Sequence, residues 1–143
     1  MTTTTMKAVA MLALLVLAAD QGVKWLLGRA LRNGAASLGP LGRVQLVRSR
    51  VWLARAGVSR AVPILAIWMA CATALTIVSV WMPSAAPWSA LLIGGSFSHA
   101  MESVMRGFIS DYICLRFWPA LNLADVAITS GAIGVVVTVA THC

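Results

Sequence analysis

Apolar residues run through this chain in blocks of membrane-crossing length, interrupted at a few charged positions. Between Ala61 and Met101 there is no Asp, Glu, Lys or Arg. That window is about twice the roughly 20 residues that one helical span requires. Pro83 and Pro87 divide it into two spans and a short turn. With the apolar runs on either side, the pattern predicts an all-α membrane protein of four transmembrane helices, at about 7–28, 61–82, 88–106 and 123–141. Residues 1–143 then form a single integral membrane domain. The stretch Met1–Ala19 could pass for a secretory signal, with Lys7, an apolar core and Ala18-Ala19. The amphipathic continuation from Gln21 to Leu27 carries the helix to membrane length, so an uncleaved span is expected.

The segment 29–60 differs. Gly34, Gly39, Pro40 and Gly42 mark turns, and Val44-Gln45-Leu46-Val47 suggests a short strand, giving an extramembrane loop domain with a small β element. Between the last two spans, Phe108, Tyr112, Phe117 and Trp118 are residue types expected at a membrane–water interface. Pro119 bars helical continuity there.

Composition supports the membrane reading: 60% of residues are hydrophobic and 10% charged, outside the range of soluble domains. Net charge is +7, and Arg29, Arg32, Arg43, Arg48, Arg50, Arg55 and Arg60 all fall in the first loop. Beside membrane spans, such a segment points to anionic phospholipid headgroups rather than to nucleic acid. Cys71, Cys114 and Cys143 are odd in number and fit no disulfide framework or zinc spacing.

The chain has four carboxylates, Asp20, Glu102, Asp111 and Asp125. Acids in or beside membrane segments are expensive, and are functional candidates by default. Four spans place all four acids on one membrane face. Asp20 and Lys24 lie four apart on one helical face and can pair. Asn122 is a good helix N-cap, which puts Asp125 at the third helical position, able to reach back to free backbone N–H groups. If Asp111 approaches Asp125, two like charges cannot both persist and one proton is shared. The cap favours placing that proton on Asp111. One ionised and one protonated acid can activate water against an amide. The plainer reading makes Asp125 a helix cap and Asp111 a solvated loop acid.

Several segments in order resemble signal peptidase II, the lipoprotein signal peptidase. Asp20-Gln21-Gly22-Val23-Lys24 is similar to that family's D-Q-x-x-K, and Gly94-Gly95 to its glycine pair. Arg106-Gly107-Phe108-Ile109-Ser110-Asp111-Tyr112-Ile113 resembles G-[FY]-V-V-D-[FY]-I, and the run Phe117 to Ile128 resembles W-P-x-F-N-x-A-D-x-[AS]-I. The resemblance implies an intramembrane aspartic endopeptidase that needs no cofactor and cuts signal peptides ahead of a lipid-modified cysteine. Asp111 and Asp125 would be catalytic, with Asp20, Gln21, Lys24, His99, Glu102, Arg116 and Asn122 in support. It further implies a bacterial inner-membrane protein with both termini cytoplasmic. By the positive-inside rule alone, the arginine loop would instead face the cytoplasm.

The chain departs from the family in two places. Ser98-His99-Ala100-Met101-Glu102-Ser103 stands where the family has G-N-x-x-D-R, losing its asparagine and arginine and replacing its aspartate by Glu102. No segment near Arg48–Arg55 matches the family's N-x-G-A-A-F. These departures motivate an alternative, a non-catalytic paralogue that binds lipid-modified peptides or a membrane partner. His99 either replaces the asparagine as a neutral hydrogen-bonding group or, with Glu102 and Asp111 or Asp125, binds a divalent metal. The former is preferred, and no metal is expected.

Overall fold

The computed structural model describes residues 2–31, 34–49 and 61–142. Four long helices form the body: α1 (Thr2–Ala30), α2 (Ala61–Trp81), α3 (Ala86–Arg106) and α4 (Leu123–His142). Three strands accompany them: β1 (Ala36–Ser37), β2 (Gly42–Ser49) and β3 (Ile109–Leu115). Arg32, Asn33, the segment 50–60 with three of the arginines, and Cys143 lie outside the described residues.

Local chemistry sets the helix ends. A 3-10 turn at Pro83–Ala85 connects α2 to α3, and Pro87 falls in the first turn of α3, where its missing N–H costs nothing. Gly107, at φ 73°, ends α3 in the left-handed conformation, its N–H bonded to Ser103 O at 3.0 Å.

The α3 helix packs against the other three, and two adjacent glycines allow this. A Cβ on Gly94 would lie 2.5 Å from Ala13 O of α1, and one on Gly95 would lie 2.7 Å from Ala124 O of α4. Glycine lets backbones approach where any side chain would hold them apart. Among the described residues, three helices are long and apolar enough to cross a membrane: Thr3–Ala30, Ala61–Trp81 and Leu123–His142. The α3 helix, expected as a span at 88–106, is long enough but falls outside that set because Ser89, Ser96, Ser98, His99 and Glu102 make it too polar; Ser89, Ser98 and Glu102 are buried. Its neighbours carry exposed apolar faces instead, including Met11, Leu14, Leu15, Val62, Ile67, Val136 and Val137.

The expectation of an all-α chain with β structure confined to the first loop needs correction. The sheet has order β1-β2-β3, antiparallel throughout, and β3 lies between α3 and α4. Val44 pairs with Ile113 and Val47 with Asp111, so two residues of β2 oppose Tyr112 alone. This bulge frees the Tyr112 N–H, which bonds Leu121 O at 3.2 Å. Tyr112, expected at a membrane–water interface, is buried inside the protein: it is 5% exposed, and its hydroxyl accepts the Leu123 N–H at 2.9 Å. Phe117 and Trp118, in contrast, are exposed.

Candidate active site

Strand β3 carries Asp111 into the end of the bundle, where it is 5% exposed. Ser49 Oγ, at the end of β2, donates to Asp111 Oδ2, and Asn122 Nδ2 donates to Oδ1 at 2.7 Å. Burial pushes the Asp111 carboxyl above its usual range. The Ser49 hydrogen bond opposes this, the Asp125 charge reinforces it, and Asn122 and His99 oppose it more weakly. Burial likewise pushes the Tyr112 hydroxyl up to about 12, leaving it a neutral anchor for Leu123.

Asp125 reaches the same place from the first turn of α4. Its Oδ2 accepts the Asn122 N–H at 2.8 Å, and the Asp125 N–H donates to Asn122 Oδ1 at 3.0 Å. This is a reciprocal capping box, with the carboxylate at the positive end of the helix. Asn122 links the two acids, capping α4 on one side and bonding Asp111 on the other. A cavity of about 700 Å³ opens onto Asp111, Asp125, Ser49 and His99, with Trp118, Val126 and Ile133 among its apolar walls. His99 Nε2 lies 3.3 Å from Asn122 Oδ1 and 3.5 Å from Asp125 Oδ1.

The other two acids form a separate cluster. Lys24 Nζ lies 2.6 Å from Asp20 Oδ2 and 2.8 Å from Glu102 Oε2, and all three side chains are buried. Arg106 bonds Glu102 Oε1 at 3.1 Å, and the Ser110 N–H bonds Glu102 Oε2 at 3.2 Å. Asp20 also accepts Ser98 Oγ at 2.6 Å and the Ala124 N–H at 3.2 Å, so α1 satisfies a free donor at the start of α4. Gln21 completes the chain by donating to Ser98 Oγ at 2.8 Å.

Of the residues singled out from sequence, Asp111, Asp125, His99 and Asn122 thus meet around one cavity. Asp20, Gln21, Lys24 and Glu102 form the adjoining support. Arg116 joins neither group: its guanidinium lies over the exposed Phe117 ring, and it lines a different groove with Arg43. The metal alternative also loses its geometry, because Glu102 faces Lys24, Arg106 and Ser110 while His99 faces Asp125. Among the described residues no three His, Cys, Asp or Glu side chains are placed to hold a metal ion. Ser49 was not anticipated. It lies 62 residues from Asp111, and only the register of β2 on β3 brings them together.

A family model described as signal peptidase (SPase) II matches residues 12–141. The chain belongs to the signal peptidase II family. It is 41% identical over 44 residues to the lipoprotein signal peptidase of Moorella thermoacetica, covering 31% of this chain and 29% of that one. To the lipoprotein signal peptidase of Xanthomonas oryzae pv. oryzae it is 43% identical over 58 residues, covering 38% and 34%. To that of Vibrio vulnificus it is 36% identical over 67 residues, covering 39% and 40%. The matched stretches thus span about a third of these relatives' length. Two solved bacterial membrane enzyme structures share the fold. One has a TM-score of 0.79 at 16% identity, covering 94% of this chain and 88% of that one. The other has a TM-score of 0.77 at 17% identity, covering 93% and 92%. Within the signal peptidase II family, this member places an imidazole, His99, beside its two aspartates.

Proposed function

We propose that this protein is an intramembrane aspartic endopeptidase of the lipoprotein signal peptidase type, cleaving signal peptides ahead of a lipid-modified cysteine. The observation that carries the reading is the shared cavity of Asp111 and Asp125, with Asn122 bonded to both. The acids' surroundings differ in the sense the chemistry needs. Asp111 is buried and pushed toward its protonated form, while Asp125 is more open and accepts a backbone N–H at a helix start. Asp125 would take a proton from the attacking water as Asp111 donates to the scissile carbonyl. The tetrahedral adduct then collapses, with a proton passing to the leaving amine. The apolar cavity walls suit an extended peptide at the bilayer edge. Purified protein is expected to cleave a lipid-modified prolipoprotein, and Asp125→Asn is expected not to. Absence of cleavage by the wild type under conditions where a relative cleaves would refute the reading.

The proposed topology follows from the same site. Helices α1 to α4 would all cross the bacterial inner membrane, with α3 shielded by the others and both termini cytoplasmic. The β-sheet and the arginine loop would lie at the outer face, against anionic headgroups. A cysteine at Ser37, in a background lacking native cysteines, should react with an impermeant thiol reagent on intact spheroplasts. Labelling only after lysis would overturn this orientation.

A further inference from the structure

The hydrogen-bond network assigns the protonation of His99. The Asn122 amide is fixed by backbone partners: the Ser110 carbonyl can only accept, so Nδ2 faces it at 3.2 Å, and the Asp125 N–H can only donate, so Oδ1 faces it at 3.0 Å. His99 Nε2 therefore meets two acceptors, Asn122 Oδ1 at 3.3 Å and Asp125 Oδ1 at 3.5 Å. A ring nitrogen between two acceptors carries the proton. Among the described residues, Nδ1 has no hydrogen-bond partner. The ring lines both the carboxylate cavity and a second, apolar cavity of about 390 Å³. It can take up a proton on Nδ1 without releasing Asp125.

We infer that His99 is a positioning residue of the carboxylate pair: its Nε2–H, shared between Asn122 Oδ1 and Asp125 Oδ1, fixes the carboxylate of Asp125 toward the cavity. This deepens the endopeptidase reading and rests on it. The charges around the ring support the assignment. Asp125 faces it from α4, and Asp111 from β3 across the cavity. Ser49 approaches from β2, and the Cys71 thiol from α2 in the second cavity. On its own helix, Glu102 is taken up by Arg106 and by Lys24 of α1, which also holds Asp20. Arg48 of β2 lies over Phe108. Among the described residues, His99 is therefore the basic side chain that contacts Asp125.

The test compares kcat and KM of the wild type with those of His99→Phe and His99→Asn. The phenyl ring fills the space without a donor, and the amide restores one. His99→Phe is expected to lower kcat about tenfold with KM nearly unchanged, and His99→Asn to recover most of that loss. A wild-type kcat in His99→Phe overturns the inference. A second readout is independent of catalysis. The chain has two histidines, His99 and His142, so 15N-histidine labelling gives two assignable rings. Neutral His99 is expected as the Nε2–H tautomer, with its ring 15N shifts changed by Asp125→Asn. An Nδ1–H tautomer overturns the inference even if the protein cleaves. An Nε2–H ring in a protein that cleaves nothing sustains the contact and rejects the endopeptidase reading.

Discussion

At one end of the helix bundle, two neighbouring clusters each hold two carboxylates, and they differ in how the charge is balanced. Asp20 and Glu102 share Lys24, and Glu102 also has Arg106. Asp20 spends its remaining capacity on Ser98 and the start of α4. Two acids meet two bases with the hydrogen bonds filled, which suits a fixed joint between α1, α3 and α4. Asp111 and Asp125 have neutral donors, Ser49, Asn122 and a backbone N–H, and, among the described residues, one basic side chain beside them, His99. This cluster opens on a cavity. Closure suits the first cluster to a structural role, and the unbalanced charge beside a cavity suits the second to the proposed catalysis.

The sharpest way to break this contrast is to neutralise one acid of the open pair. Asp111→Asn is expected to lower cleavage about 100- to 10,000-fold while the protein still inserts and folds. The same variant carries a stability signature. Folded Asp111 holds its proton above the usual value of 3.8, so the folded state binds more protons than the unfolded one in that window. Stability therefore falls as pH rises from 3.8 through the raised value, and Asp111→Asn should remove that slope in thermal unfolding measured against pH. A slope unchanged in the variant would contradict the burial argument.

Next in size is the closed cluster. Lys24→Met leaves two buried acids without their shared cation and should cost about 3–5 kcal/mol in stability. Adding Glu102→Gln should recover part of the loss. The measurement is thermal unfolding in detergent, together with the specific rate of the folded fraction. Stability within about 1 kcal/mol of the wild type would mean that the cluster is not the joint described here.

A smaller effect is expected from Ser49→Ala, which removes a donor from Asp111. At about 1 kcal/mol for a hydrogen bond to a neutral acid, the rate should fall about fivefold. Because the Ser49 bond holds the Asp111 carboxyl down, losing it should also move the alkaline limb of the pH–rate profile to higher pH. A limb moving the other way would reverse the assignment of Asp111 as the protonated partner. The smallest effect belongs to Arg106→Ala. The side chain is 51% exposed, and solvent-screened pairs contribute about 0–1 kcal/mol. A larger loss would place Arg106 with Lys24 as an essential counter-ion.

The site was legible where its contacts are local. The spacing of Asn122 and Asp125 indicated a capping box, and both of its hydrogen bonds are present. The i, i+4 spacing of Asp20 and Lys24 indicated their ion pair. Lys24 with Glu102, 78 residues apart, and Ser49 with Asp111, 62 apart, had no such signal. Strand β3 was missed for a related reason: Ile109–Leu115 shows no alternation of apolar and polar positions because its first four residues are all buried. Arg116 was expected among the supporting residues, but it lies beyond the bulge and turns to solvent.

The sequence by itself determined the apolar helices, the turn at Pro83 and the cap that holds Asp125 at the start of α4. Each depends on residues within a few positions, where covalent geometry fixes who can meet whom. Tertiary structure decided which acids would be neutralised and which left open to a cavity. That choice depends on how closely α3 approaches α1 and α4 at Gly94 and Gly95, and on the bulged register of β2 against β3. Charges distant in sequence acquire partners only once those backbones are in place.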